Sequence, residues 1–223
     1  MRNRVCLINV LNEPWICEIQ KCTSIVVTVH QVIEVFTKLI ENIDKYTKNH
    51  SEIVAVVSYI IALRIGLPAK ACDFIHLAGH LHDVGKLTLP KKILIKPGPL
   101  DKQEWELIKS HPKIGFDLLS PVKLFQGQGG VLEMILYHHE RWDGKGYPFG
   151  LKGEEIPLGA RIISIADAFS AMVCERPYRK PLSFDEALEE IKKGAGTQFD
   201  PMLVGIFVNI YEEITNWAMG LVS

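Results

Sequence analysis

Histidine and aspartate occur in this chain as a spaced series: His50, the adjacent pair His82-Asp83, His111, the adjacent pair His138-His139, and Asp167. Imidazole nitrogens and carboxylate oxygens are the donors that suit iron, manganese or zinc, and an aspartate can bridge two ions where a single ring nitrogen cannot. The series is rich enough for two metals. Other histidines carry less weight: His30, His76 and His80 each read as surface or satisfied core residues, although His76 and His80 share a helical face. A His-Asp dipeptide by itself is also weak, because a helix terminus uses an aspartate for charge or capping. Its order with Lys86, His111, His138-His139 and Asp167 is what makes the pattern specific.

These residues need elements to hold them. From Ser24 to about Tyr46 the apolar residues Val26, Val29, Ile33, Phe36, Ile40 and Ile43 recur at helical spacing, whereas residues 1–23 have no clear period. A second helix is expected from about Ser51 to Ile65, stopped by Gly66 and Pro68, and another over Pro68 to Asp83. Leu87 to Leu100, with Pro90, Pro97, Gly98 and Pro99, reads as an ordered loop. Asp101 with Glu104 and Ser183 with Glu186 have capping-box spacing, and Asp200-Pro201 sets a cap before a first-turn proline. A helix should follow each. Further helices are expected at about 112–119, 129–139 and 157–174, with Gly and Pro clusters near 127–130 and 144–153. With no alternating strand pattern and no repeat, the fold class is all-α, and each member of the series sits in a helix or near its end.

With 223 residues, 48% of them apolar, the chain can bury one sizeable core. We divide it into an N-terminal helical extension or remnant of an input region at 1–46 and a main domain at 47–223. Twenty-five Lys plus Arg stand against 26 Asp plus Glu, so no global basic charge suits a DNA or RNA duplex, and phosphate recognition must be local. Five scattered cysteines, Cys6, Cys17, Cys22, Cys72 and Cys174, include no C-x-x-C pair, which argues against a disulfide framework and for a reducing, cytoplasmic setting. Arg2 and Arg4 precede a short apolar run, but Asn9, Asn12 and Glu13 interrupt it, unlike a signal peptide. Ile53 to Leu63 is shorter than the roughly 20 residues of a membrane span.

The run His82-Asp83-Val84-Gly85-Lys86 resembles the H-D-x-G-K signature of HD-GYP proteins. His138-His139-Glu140-Arg141-Trp142-Asp143-Gly144-Lys145-Gly146-Tyr147-Pro148 is similar to that family's H-H-E-x-x-D-G-x-G-Y-P block. Ile156-Pro157-Leu158, Ala160-Arg161-Ile162, Ala166-Asp167, Arg176-Pro177-Tyr178-Arg179 and Phe199-Asp200-Pro201 extend the resemblance over about residues 47–210. It implies an HD-domain helical bundle with a metal centre in its core, in which His50, His82, Asp83 and Asp167 hold a first ion, Asp83 bridges, and His111, His138 and His139 hold a second. Two ions about 3.5–4 Å apart would share a water, lower its pKa and direct it in line at phosphorus. Lys86 would neutralise charge at the scissile phosphate, and Tyr147, Arg176 and Arg179 would meet the nucleotide.

The implied activity is hydrolysis of cyclic di-GMP to the linear dinucleotide pGpG, and on to GMP, with two divalent ions, Fe or Mn, Zn being compatible too. Another nucleotide such as cyclic GMP-AMP, or a non-hydrolysing cyclic-dinucleotide sensor, are the alternatives; a homodimer or a signalling-protein partner is compatible with each. Two positions depart from the family. Tyr46 stands where some members have a glutamate that helps to hold a third ion, which points to two ions here. Ser170 stands where the family commonly has a second aspartate, a change expected to bear on substrate contacts more than on metal binding.

Overall fold

The computed structural model describes residues 32–33, 35–39, 49–174 and 180–222. Among the described residues ten helices follow one another from His50 onward: α1 (His50–Ile65), α2 (Ala69–Leu81), α3 (Lys91–Leu94), α4 (Lys102–Lys109), α5 (His111–Leu119), α6 (Val131–Tyr137), α7 (Leu158–Val173), α8 (Phe184–Lys193), α9 (Pro201–Asn209) and α10 (Tyr211–Val222). There is no β-strand among the described residues, only an isolated bridge between Ala195 and Phe199. No helix of the described residues is long and apolar enough to cross a membrane.

The boundaries follow local chemistry. Asp101 and Ser183 each complete a capping box with the glutamate three residues on, and the Asp200 carboxylate accepts from the Met202 and Leu203 amides. Gly66 ends α1 in the left-handed conformation, at φ 84°. The ordered loop expected at 87–100 starts within a 3₁₀ turn, Val84–Thr88, and includes one helical turn, α3, after Pro90. The helix expected up to Asp83 ends at Leu81, so His82 caps α2 and Asp83 opens the 3₁₀ turn. The helix expected over 24–46 lies mostly outside the described residues, as do Tyr46, Cys6, Cys17, Cys22 and the opening Arg2 to Glu13 run. Where that segment is described, 32–33 and 35–39 are helical, with Ile33 and Thr37 buried.

Helix α1 is buried along most of its length and packs on α2 and α7, which is why its apolar residues do not form a single stripe. Ile53, Val57 and Ile61 meet Leu77, Ile135, Ile162, Phe169 and Phe207 in one core. Each such side chain contributes roughly 1.5–3 kcal/mol of burial. That core fixes α1, α2, α6 and α7 side by side, and His50, His82, His138 and Asp167 are carried on or at the ends of these four helices.

The 3₁₀ turn after Asp83 lies directly against the start of α5. A Cβ on Gly85 would sit 2.0 Å from the His111 carbonyl oxygen and 2.8 Å from the Gly115 amide nitrogen, so only glycine allows this approach. Backbone bounds the position on both counts and cannot swing aside. Gly85→Ala is therefore expected to cost about 1–3 kcal/mol and to lower Tm by about 3–10 °C in a thermal melt. A Tm within a degree of the parent would contradict this packing.

Candidate metal centre and its cleft

Seven residues of the series come together in the interior. His50, His82, Asp83, His111 and His138 are each at most 2% exposed. Their ring orientations are set from outside the cluster. The Nδ1 atoms of His82, His111 and His138 donate to the carbonyl oxygens of Gly79, Ile108 and Ile135, at 2.7, 2.7 and 2.6 Å. A carbonyl only accepts, so each of these Nδ1 atoms carries a proton and each Nε2 of the neutral ring is left as a lone pair facing inward. His50 is oriented from α7: the Ser170 hydroxyl donates to the His50 carbonyl (3.3 Å) and accepts from His50 Nδ1 at 2.8 Å.

The donors divide into two groups around Asp83. His50 Nε2 and His82 Nε2 lie 3.3 and 3.8 Å from Asp167 Oδ1, and 3.9 and 3.4 Å from Asp83 Oδ2. The other Asp83 oxygen, Oδ1, faces His111 Nε2 at 3.2 Å. His111, His138 and His139 form one set of mutually close ligand atoms, His50, His82 and Asp167 a second, and His82, Asp83 and His138 straddle the two. The residues therefore fit metal ions. His111 Nε2 and His138 Nε2 are 3.3 Å apart with lone pairs opposed, and His82 Nε2 and Asp83 Oδ1 are buried with no hydrogen-bond partner among the described residues; divalent cations held by the separate donor sets would satisfy these atoms.

The charge states of both carboxylates and of His138 and His139 agree with that role, whereas at His82 burial works to lower the pKa but Asp83 and Asp167 outweigh it and raise it, so a metal would have to displace a proton there. Burial works to raise the Asp83 pKa, but Lys86, His82 and His111 outweigh it and hold the carboxyl well below the usual range. Burial also opposes ionisation of Asp167, and His50 and His82 reverse the balance in the same way. Burial, followed by the neighbouring imidazoles, lowers His138 far below the ordinary histidine value and brings His139 down to about 3. Both rings are neutral at physiological pH, the form that ligates a metal.

A cavity of about 440 Å³ opens onto this centre, lined by Trp105, Lys109, His139, Arg141, Tyr147, Asp167 and Gln198 among others. Its floor includes the Gly-rich loop that follows His139. Gly146 passes so close to the preceding turn that a Cβ there would meet the Arg141 nitrogen at 2.4 Å and the Glu140 Cα at 2.5 Å. Tyr147 stacks on His139 at 4.8 Å between centroids, and burial together with Asp167 and Asp83 raises its phenol pKa, so the hydroxyl keeps its proton.

The loop's organiser is Glu140, a residue whose role the motif did not disclose. It is 2% exposed, and its carboxylate accepts from the amides of Phe149, Gly150 and Leu151 at 2.7, 3.1 and 3.0 Å. Trp142 and Asp143 amides donate to the Gln198 and Thr197 carbonyls, tying the loop to the turn before α9. Arg161 pairs with Asp200 at 2.6 Å, which assigns the Phe199-Asp200-Pro201 run to holding that turn in place.

Lys86 Nζ lies 2.6 Å from Asp83 Oδ2, beside the cluster. Ser170 requires a correction: its side chain is fully buried against His50 and does not line the cavity, so it bears on a metal ligand and not on substrate contacts. His76 and His80 lie apart from the three ligand sets; their Nε2 atoms are 3.2 Å from one another. Arg176 and Arg179 lie outside the described residues.

Residues 34–203 match the HD domain family. A cyclic di-GMP phosphodiesterase of Thermotoga maritima is 42% identical over 186 residues, covering 83% of this chain and 50% of that protein. The cyclic di-GMP phosphodiesterase response regulator RpfG of Xanthomonas campestris pv. campestris is 41% identical over 167 residues, covering 75% of this chain and 44% of the relative. A 3′3′-cGAMP-specific phosphodiesterase 2 of Vibrio cholerae is 37% identical over 174 residues, with 78% and 33% covered. The chain thus spans half or less of the length of these relatives. A crystal structure of a cyclic GMP-AMP specific phosphodiesterase of V. cholerae superposes with TM-score 0.61 at 21% identity, over 85% of this chain and 53% of the other, a likeness of fold. The chain belongs to the HD domain family, and its His82 to Pro148 motifs set it among the HD-GYP proteins.

Ser170→Ala removes the acceptor that orients His50 without opening the core to a larger side chain. It should weaken metal binding by about 10–100-fold in a titration against a competing chelator, with the helical circular dichroism unchanged. Unaltered affinity would show that His50 needs no such support.

Proposed function

We propose that the chain is a metal-dependent phosphodiesterase that opens a cyclic dinucleotide, with cyclic di-GMP as the first substrate to test. The observation that carries this reading is the pair of inward-facing donor sets on either side of Asp83, beneath a cavity of nucleotide-binding size. Relatives at 42% and 41% identity named for cyclic di-GMP hydrolysis support the substrate class. His50, His82, Asp83 and Asp167 would hold one ion, and His111, His138 and His139 with Asp83 the other. Mixed imidazole and carboxylate donors suit Fe or Mn, and Zn is compatible. When bound, such ions polarise phosphoryl oxygens and lower the pKa of water.

The remaining work falls to side chains of the chain. Lys86, paired with Asp83 at 2.6 Å, would offer its ammonium to the negative charge that grows on the phosphoryl group. Tyr147 keeps its proton and offers a hydrogen bond to a phosphate oxygen at the cavity floor. The Arg176 and Arg179 guanidinium groups are assigned to the nucleotide through their motif, as bidentate partners of phosphate or a guanine edge. The expected product is linear pGpG, with GMP after a second cleavage. A cytoplasmic setting accords with the buried Cys72, which forms no disulfide among the described residues.

A second substrate, cyclic GMP-AMP, is favoured by the Vibrio cholerae relative at 37% identity that is named for it. The test is a chromatographic assay of both cyclic dinucleotides with protein purified anaerobically and supplied with Mn or Fe. The parent should yield linear product from at least one, and Asp83→Ala should lose at least about a hundredfold in turnover. A metal-replete parent that cleaves no cyclic dinucleotide would refute the assignment.

A further inference from the structure

Three exposed aromatic side chains occur among the described residues: Phe36, Trp105 and Phe149. Phe149 rests edge-on against Tyr137 and does not line the cavity above the metal ligands. Trp105 does line it, and 47% of its surface is open to solvent. It stands on α4, a helix whose N-terminus is locked by the reciprocal Asp101 and Glu104 capping bonds at 2.9 Å each. The indole is thus presented by a fixed element and not by a loose loop. Lys109, one turn further along the same helix face, also lines the cavity. Among the described residues its ammonium pairs with Glu106 at 2.7 Å, a pair of the kind that contributes little and exchanges readily. By contrast Arg141, on the same cavity, is committed to Asp143 through two bonds of 3.0 and 2.9 Å.

We infer that Trp105 is a stacking platform for a nucleobase of the substrate, with Lys109 beside it for an adjacent phosphate. This deepens the phosphodiesterase reading and rests on it. The chemistry is that of a flat, electron-rich ring, half open to solvent, on a cavity that also carries Lys109, Arg141 and Lys145. Every base presents a π-face to such a ring, and stacking is worth about 1–3 kcal/mol per base, a factor of roughly 5–150 in affinity. One base on the indole leaves the phosphodiester free to descend towards His139, Tyr147 and Asp167, where the hydrolytic groups lie. Because stacking is tolerant of base identity, Trp105 supplies affinity for a purine dinucleotide without choosing between guanine and adenine.

Trp105→Ala should raise KM about tenfold while kcat stays within about twofold, and Trp105→Phe should recover most of the loss. Linear pGpG should quench the tryptophan emission of the parent and have a markedly smaller effect on Trp105→Phe. Lys109→Gln should raise KM several-fold at low salt and less at high salt. An unchanged KM in Trp105→Ala, or quenching that persists undiminished in Trp105→Phe, overturns this inference and leaves the phosphodiesterase reading standing. A fall in kcat that phenylalanine does not restore marks Trp105 as structural and also overturns it. Absence of both turnover and quenching in the parent, with every cyclic dinucleotide tried, overturns the two together.

Discussion

Three buried imidazoles in this protein donate Nδ1–H to a carbonyl in the last turn of a helix: His82 to Gly79, His111 to Ile108 and His138 to Ile135. The arrangement solves two problems at once. The last carbonyls of a helix have no partner within it, and a histidine placed three residues on supplies one. The same bond fixes the tautomer, so each Nε2 faces the interior as a donor. Three helix C-termini, with their partial negative charge, are thereby turned towards the place where cations would sit. The rest of the chain keeps these ends in register.

That dependence reaches through the core. α1 and α7 pack side by side, which sets Ser170 against the His50 ring and Asp167 against its Nε2. Gly85 lets the turn after Asp83 press on the start of α5, so one carboxylate can address His50 and His82 with one oxygen and His111 with the other. On the open side, Glu140 gathers three amides of the Gly-rich loop and holds Tyr147 over His139. The cavity exists because that loop is anchored from within.

Much of this was legible in the sequence, for reasons that can be named. Capping residues state their own function locally, so α4, α8 and α9 began where Asp101, Ser183 and Asp200 said they would. The adjacent His-Asp and His-His pairs mark chain positions where a helix stops and its end faces inward. Contributions that depend on a distant partner were not legible. Ser170 bonds a residue 120 positions away, and nothing near it in sequence announces His50. Trp105 belongs to no motif, and only packing shows it half open to solvent on the cavity. The break between α9 and α10 at Ile210 falls inside a stretch with no glycine or proline stop at that point, and tertiary packing decides it.

Asp83, which offers one oxygen to His50 and His82 and the other to His111, is proposed to join two metal sites. Titration of metal-free protein with Mn(II), followed by elemental analysis and electron paramagnetic resonance, tests it most directly. Two ions per chain with the exchange-coupled spectrum of a bridged pair are expected, with loss of that coupling in Asp83→Ala. A single ion, or two ions whose spectra are magnetically independent in the parent, would contradict it.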